Sequence, residues 1–211
     1  MSNRAKLVLT SCVLLSFCTS YYFFALLLPA ASAGHEARQL AGGYGYGNDF
    51  YQIWFTTREL LGQHADPYSV ETQRNIEIGL YGRPLDRSDP RDASVPYRGY
   101  SYPLTANILT APLGWLSFRG VQIILSVLLP LCVVGGVIFW CRAFGLNYSA
   151  LGLSALCVVA FGAFPVLEGI YALQTTLIVT AAIAGCLALL RRNLFAWAGV
   201  TLSLGLSLIH I

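Results

Sequence analysis

Charged residues are scarce in this sequence, and acidic residues are almost confined to one stretch. Only 11% of the 211 residues are charged, whereas 56% are hydrophobic, and the formal net charge is +3. Residues 34–102 hold seven arginines and nine acidic residues, and Glu168 is the only acid elsewhere. This distribution leaves no basic face that could follow a phosphate backbone, so we expect no nucleic-acid partner. The composition is typical of an all-α polytopic membrane protein, with residues 1–211 as a single membrane domain.

Cysteine is missing from the polar stretch 34–102. All six cysteines lie in apolar segments, so we expect no disulfide bond in that stretch. The three histidines are also far apart, at His35, His64 and His210, and no cysteine lies near them in the sequence. Structural zinc sites need closely spaced cysteine and histidine ligands. The sequence therefore predicts neither a metal site nor a cofactor.

A long uncharged run follows the first basic residues. Residues 7–33 form 27 residues without charge, which is about 40 Å of helix against a hydrocarbon core of roughly 30 Å. The run predicts a first transmembrane helix, and Arg4 with Lys6 predicts a cytoplasmic N-terminus and an external loop over residues 34–102. A cleaved signal peptide is the alternative, because residues 31–33 (Ala-Ser-Ala) resemble a cleavage site. The run is, however, longer than the usual apolar region of about 7–15 residues.

The second half of the chain holds further apolar runs. Residues 103–118 are uncharged but short for a span, and Pro112 interrupts them. If they form a juxtamembrane or re-entrant helix, Arg142 and the pair Arg191 and Arg192 both fall on the cytoplasmic side. We therefore predict an integral plasma-membrane protein with five spans, the last four being 121–140, 143–167, 169–190 and 193–209. The lack of a basic flank after the last run is typical of a piece of a longer protein.

Glycines and tyrosines open the external stretch, from Gly42 to Gly47. The glycines allow the backbone to approach a ligand closely, and Tyr44 and Tyr46 offer flat faces of the kind on which sugars stack. A helix is predicted next, with Asp49 at its start. Its apolar stripe consists of residues at helical spacing, namely Phe50, Ile53, Trp54, Thr57 and Leu61. Gln52 and Arg58 lie off this stripe. We expect this helix to lie on the membrane surface. An acid at a helix start is more often only a cap, so Asn48 or Asp49 could have that role alone.

The rest of the external stretch predicts a second helix and a charged loop. Pro67 ends the first helix, and Ser69 can cap a second one that runs to about Tyr81. Residues 82–99 are rich in proline, aspartate and arginine. We interpret them as a solvated loop whose charges pair locally.

Two polar residues stand near the outer ends of the predicted spans. Glu168 lies in the short loop between two of them, where an acid indicates function by default but could also only hydrate the loop. Gln174 lies about one turn into the next helix. With Thr175 and Thr176 it could equally form hydrogen bonds between helices.

Several short motifs occur in a fixed order between the predicted spans. Taken together they resemble the GT-C class of membrane glycosyltransferases, and within it glycosyltransferase family 87, which includes polyprenyl-phosphate-mannose-dependent mannosyltransferases. The resembling motifs are Gly47-Asn-Asp-Phe50 with Tyr51, Leu61-Gly-Gln-His-Ala-Asp-Pro-Tyr68, Tyr100-Ser-Tyr-Pro103 leading to Ala111-Pro-Leu113, Glu168-Gly169, and Gln174. Leu173 and Thr176 stand where the family commonly has a glycine and an asparagine.

The resemblance implies a GT-C-like fold, in which the first external loop carries juxtamembrane amphipathic helices, and an inverting hexosyl transfer. A sugar on a polyprenyl phosphate, mannose in the named family members, would pass to a lipid or glycan acceptor on the outer face of the bilayer. Asp49 fits the general base that accepts the proton of the acceptor hydroxyl. Arg98 is the first candidate to face the lipid phosphate, followed by His64 and Arg58, although each could be a solvated loop charge. The candidate substrate-binding residues are Tyr44, Tyr46, Arg58, His64, Arg98, Tyr102, Glu168 and Gln174.

A non-catalytic transporter or envelope assembly protein is the competing function. In it, Glu168 and Gln174 would lie on a permeation path. Transporters of this kind usually have short loops and matching repeats, whereas the first external loop here has 69 residues. The long loop favours the enzyme.

Overall fold

A computed structural model describes residues 3–27, 29, 46–86, 88–89, 92 and 100–208. Within these ranges all regular secondary structure is helical, as predicted. The helices are α1 (Asn3–Tyr21, continued by a π-helical segment Tyr22–Leu27), α2 (Asn48–Gln63), α3 (Val70–Tyr81), α4 (Leu104–Gly114), α5 (Phe118–Phe144), α6 (Ala150–Phe161), α7 (Phe164–Ala172), α8 (Thr176–Leu190) and α9 (Phe195–Leu206).

Two of the described helices are long and apolar enough to cross a membrane. They are the stretch Lys6–Leu26 and helix α5, with 21 and 27 residues. A third span results if α6 and α7, which meet at a bend of 67°, are taken together. Helices α8 and α9 have only 15 and 12 residues, fewer than the roughly 20 that a span needs, because turns shorten the predicted runs 169–190 and 193–209. Residues 28 and 30–33 of the first predicted span lie outside the described residues.

The span predicted over 143–167 does not correspond to one continuous helix. The helix begins only at Ala150, stops at Phe161, and resumes at Phe164 with Pro165 in its first turn. Gly162 at the break packs directly on the Cα and Cβ of Ser16, so a side chain at this position would clash with α1. Glu168 consequently lies inside α7 and not in a loop between spans, which corrects its predicted position.

The contacts of α1 show which helix ends lie together. Ser16 packs on Gly162 and the ring of Phe23 packs on those of Phe164 and Tyr171, so α1 runs in the same direction as α6 and α7. At the other end of the bundle the Arg191 guanidinium donates a hydrogen bond to the carbonyl of Ala143 at 3.0 Å. The basic ends of α5 and α8 therefore adjoin, at the end of the bundle from which α1 and α6 start. Which face of a membrane this end occupies remains a prediction.

Helix α2 buries four of the five residues of its predicted apolar stripe, and the fifth, Leu61, is half-buried. Phe50, Ile53, Trp54 and Thr57 are all buried, and the indole Nε1 of Trp54 donates to the carbonyl of Leu116 at 3.0 Å. That hydrogen bond attaches α2 to the connection between α4 and α5. Gln52, which was expected off the stripe, is also buried, so the covered face is wider than the sequence indicates.

Helix α4 buries its polar face and exposes its apolar one. The amide nitrogen of Asn107 donates to the hydroxyls of Thr56 and Thr57, both at 3.0 Å, and its oxygen accepts from the Tyr100 hydroxyl. Thr110 joins the same cluster through Thr57, and Asn107 is only 2% exposed. The opposite face is apolar and open, with Ile108 71% exposed and Trp115, just beyond the helix, 76% exposed. This arrangement is expected of a helix whose outer face meets hydrocarbon and not water.

Helix α3 and the described residues of the loop after it behave largely as predicted, whereas residues 87, 90–91 and 93–99 of the predicted loop lie outside the described part of the chain. The Ser69 hydroxyl accepts from the backbone N–H of Thr72, which confirms the predicted cap of α3. Arg83 forms two hydrogen bonds of 2.6 Å with the carboxylate of Asp92, which confirms local pairing. Asp92 is nevertheless 2% exposed, so this part of the loop is packed and not simply solvated. The Asp92 partner raises the pKa of Arg83, and hydrogen bonds from Ser88 lower the pKa of Asp86.

Candidate functional site

The start of α2 is attached to the turn after α7. Gly47, at φ 82°, occupies the N-cap position, and no described side chain caps the helix there. The N–H of Gly47 donates to the carbonyl of Tyr171 at 2.8 Å, and its Cα faces the Leu173 side chain too closely for any Cβ. The interpretation of Asn48 or Asp49 as the cap is therefore wrong. Instead Asp49 Oδ2 accepts a hydrogen bond from Gln174 Nε2 at 2.9 Å, across 125 positions of sequence.

The turn that carries Gln174 has an unusual backbone. Gln174 N–H bonds to Gly169 O at 2.8 Å and Leu173 N–H bonds to Ile170 O at 3.3 Å, the pairing of a Schellman motif. Its left-handed position is held by Leu173, at φ 54° and ψ 45°, where glycine is the usual residue. Leu173 is 1% exposed. Gln174 thus precedes α8, which corrects its predicted place one turn into that helix.

The tyrosine-proline motif is held by the aspartate-proline-tyrosine motif. The Tyr68 hydroxyl donates to the carbonyl of Tyr102 at 2.7 Å, and the Tyr68 N–H donates to Asp66 Oδ1 at 2.9 Å. The N–H of Tyr100 donates to Gln73 Oε1 at 2.6 Å. Burial raises the pKa of the Tyr100 phenol, so the group stays protonated and donates to Asn107. Two motifs that are separated in sequence therefore fix the position of Tyr102.

These parts meet at a cavity of about 290 Å³. Its described lining consists of Asp49, Tyr102, Gln174, Thr175, Thr176, Val179 and Leu208. The end of α9 closes one side, because Thr105 Oγ1 donates to Ser207 O at 3.1 Å and Thr175 Oγ1 donates to Leu208 O at 3.4 Å. The volume is near the lower limit of small-molecule sites, which begin at about 300 Å³.

The cavity lies at the end of the bundle opposite the basic helix ends. Helix α8 starts at the cavity with Thr176 and ends at Leu190, next to Arg191. Helix α9 runs back toward the cavity, which Leu208 lines two residues after the end of that helix. Arg191 contacts Ala143 at that far end. The lining is polar where α2, α7 and α8 meet and apolar at Val179 and Leu208.

The other predicted site residues do not line this cavity in the described part of the chain. The Tyr46 hydroxyl is hydrogen-bonded to that of Ser126 at 2.6 Å, and the Tyr46 carbonyl accepts from Gln122 at 2.7 Å. Arg58 stacks over the Trp54 ring at 5.6 Å. His64 follows α2 in a left-handed conformation and is exposed, as is Glu168 on α7. The predictions for Tyr44 and Arg98 fall outside the described residues.

Four lining residues are not among the site residues predicted from the sequence: Val179 and Leu208 are not predicted at all, and Thr175 and Thr176 are predicted only to form interhelical hydrogen bonds. Thr175 does bond to the end of α9, yet both threonines also line the cavity. Their position next to Gln174 was the available signal. Val179 and Leu208 had none, because valine and leucine are common throughout the apolar helices.

Comparison with protein-family models, curated proteins and solved structures finds no match to the chain.

The lining can carry out acid–base chemistry on a polar ligand that also has an apolar part. It presents one carboxylate, one phenol, one amide and two hydroxyls beside two aliphatic side chains. Among the described residues no group of three or more His, Cys, Asp and Glu side chains is arranged to hold a metal ion. Proton transfer through Asp49 and hydrogen bonding by the neutral groups are the chemistry that these side chains can supply.

Proposed function

We propose that this chain belongs to a polytopic membrane glycosyltransferase that moves a hexose from a polyprenyl-phosphate sugar to a lipid or glycan acceptor. The observation that carries the proposal is the hydrogen bond from Gln174 to Asp49 at the cavity. It joins the first external loop to the start of α8, and Tyr102 brings a third motif to the same place. Three separate segments thus supply polar groups to one cavity, which is how catalytic residues are commonly assembled.

Asp49 would act as the general base. As the acceptor oxygen attacks the anomeric carbon of the sugar, its proton passes to the Asp49 carboxylate. The bond between that carbon and the phosphate oxygen breaks, and its electron pair leaves with the lipid phosphate. Attack opposite the leaving group inverts the anomeric carbon. Tyr102, Thr175 and Thr176 would hydrogen-bond sugar hydroxyls, while Val179 and Leu208 would contact the apolar part of a substrate.

The sidedness of the charges supports an external site. Arg142 and Arg191 lie at one end of the bundle and the cavity lies at the other. Basic residues flanking spans remain in the cytoplasm, so the cavity would open at the outer face of the plasma membrane. Donors on that face are expected to be lipid-linked sugars.

Asp49→Asn in the full-length protein tests the proposal. Asparagine keeps an oxygen that can accept from Gln174 but loses the basicity, and general base catalysis is worth roughly 10²–10⁴-fold. We expect transfer from a polyprenyl-phosphate sugar in proteoliposomes to fall at least about a hundredfold, with unchanged donor binding and melting temperature.

Asp66→Asn is the matched control for Asp49→Asn. The substitution replaces a carboxylate by an amide in the same stretch 34–102, but Asp66 does not line the cavity. It should retain transfer activity. Near-normal transfer by Asp49→Asn, or equal losses in the two variants, would overturn the role of Asp49.

A transporter is the second candidate, and one observation favours it. The span formed by α6 and α7 is broken, and the turn that ends it delivers Gln174 to the cavity. Broken helices of this kind often surround transported substrates. Counterflow of a labelled solute across proteoliposomes, without any sugar transfer, would decide for this function.

A further inference from the structure

We propose that Gln174 is a positioning residue that orients the Asp49 carboxylate and does not itself bind the sugar substrate. This inference rests on the proposed transferase function. It replaces the substrate-binding role that the sequence suggests for Gln174 with a structural role toward another side chain.

The hydrogen-bonding capacity of the two groups determines how the amide is oriented. An ionised carboxylate only accepts hydrogen bonds, so the amide nitrogen and not its oxygen must face Asp49. Gln174 Nε2 lies 2.9 Å from Asp49 Oδ2. The amide oxygen then points to the Thr176 hydroxyl, which donates to it across 3.4 Å. Both ends of the Gln174 amide are therefore engaged by protein groups.

The backbone on each side of this hydrogen bond is fixed as well. Gln174 is held by its N–H bond to Gly169 O, and the preceding Leu173 is buried against Gly47. Gly47, which lies two residues before Asp49, donates its backbone N–H to the carbonyl of Tyr171. The two side chains thus project from backbone segments that contact each other directly. Such support keeps a catalytic group within the small tolerance that positioning requires.

The two roles predict different kinetics. Removing a residue that binds the substrate equally in the ground and transition states raises KM. Removing a residue that orients the base lowers kcat. Gln174→Leu removes the donor with little change in volume. We expect kcat to fall roughly tenfold to hundredfold, since small misplacements of a reacting group have effects of this size, with KM for the lipid-linked sugar unchanged.

A double-mutant cycle with Asp49→Asn isolates the connection between the two residues. If Gln174 acts only through Asp49, Gln174→Leu has no further effect on the residual rate of Asp49→Asn. Gln63→Leu is the control, because Gln63 lies exposed at the far end of α2. Gln174→Met, which also lacks the amide donor, replaces Gln174→Leu in the cycle if the leucine variant does not fold.

An infrared measurement tests the contact without any turnover. The difference spectrum between the protein and Asp49→Asn isolates the carboxylate stretch of Asp49. Gln174→Leu should shift that band and Gln63→Leu should not. A higher KM with unchanged kcat, additive losses in the double variant, or an unshifted band would each overturn the positioning role. If the wild-type protein transferred no sugar but Gln174→Leu still shifted the Asp49 band, the transferase function would be overturned. The hydrogen bond between Gln174 and Asp49 would stand.

Discussion

Leu173 has a conformation that its side chain does not favour. At φ 54° a Cβ costs about 1–2 kcal/mol, so the surrounding packing must hold the residue there. The buried Leu173 side chain supplies that packing, against Gly47 among others. The strained backbone at Leu173 forms the turn that places Gln174 next to Asp49.

Alanine and glycine at position 173 should therefore rank in an unusual order. Both substitutions remove the buried side chain, which costs about 2–5 kcal/mol for leucine to alanine. Glycine also removes the strain, so Leu173→Gly should be more stable than Leu173→Ala by about 1 kcal/mol. At Leu167, inside α7, alanine should be the more stable by a similar amount. Thermal unfolding in detergent checks the ranking, and the same order at both positions would contradict the strain.

At this scale the sequence predicts the polar residues but not their contacts. Asp49 is recognisable because it is an acid at the start of a helix after glycines. Its partner is not, since Gln174 lies 125 positions away. The capping interpretation fails for a local reason: Gly47 already occupies the N-cap position, so the Asp49 side chain is released for a contact with another segment.

Among the helices, α4 carries the clearest expectation about its surroundings. Its polar side is satisfied internally by Asn107, Thr56 and Thr57, and its outer side shows Ile108 and Trp115. A nitroxide at Ile108→Cys should meet dissolved oxygen readily and a water-soluble nickel chelate poorly, because oxygen concentrates in hydrocarbon. A nitroxide at Ser88→Cys, in the loop that is predicted to be external, should show the reverse. Ready access of nickel to position 108 would place this face in water and remove the juxtamembrane interpretation.

Helices α2 and α3 are predictable because they are amphipathic. The stripe of α2 and the cap of α3 at Ser69 both follow from periodicity and capping. The break between α6 and α7 does not, because segments that are apolar on all sides have no periodicity to interrupt. Gly162 followed by Pro165 was the one local signal, since proline commonly starts a helix.

At the scale of the whole molecule, the adjoining basic helix ends predict a topology. Arg142 and Arg191 should be cytoplasmic and the loop with Ser88 external. Ser88 and Asn147 are both exposed. Single cysteines at these positions, in a cysteine-free background, should then differ in their reactivity with an impermeant thiol reagent. Position 88 should react in intact cells and position 147 only after permeabilisation. Labelling of 147 but not of 88 in intact cells would invert the arrangement.

The separation of Asp49 from Gln174 also sets a time for assembly during synthesis. At about 5–20 residues per second, the 125 residues between them take the ribosome roughly 6 to 25 s to add. Helix α2 is synthesised before α7 and α8, so the hydrogen bond cannot form until residue 174 has been added. Until then the Asp49 side chain lacks this partner, and a chain that stopped before α8 would lack several residues that line the cavity.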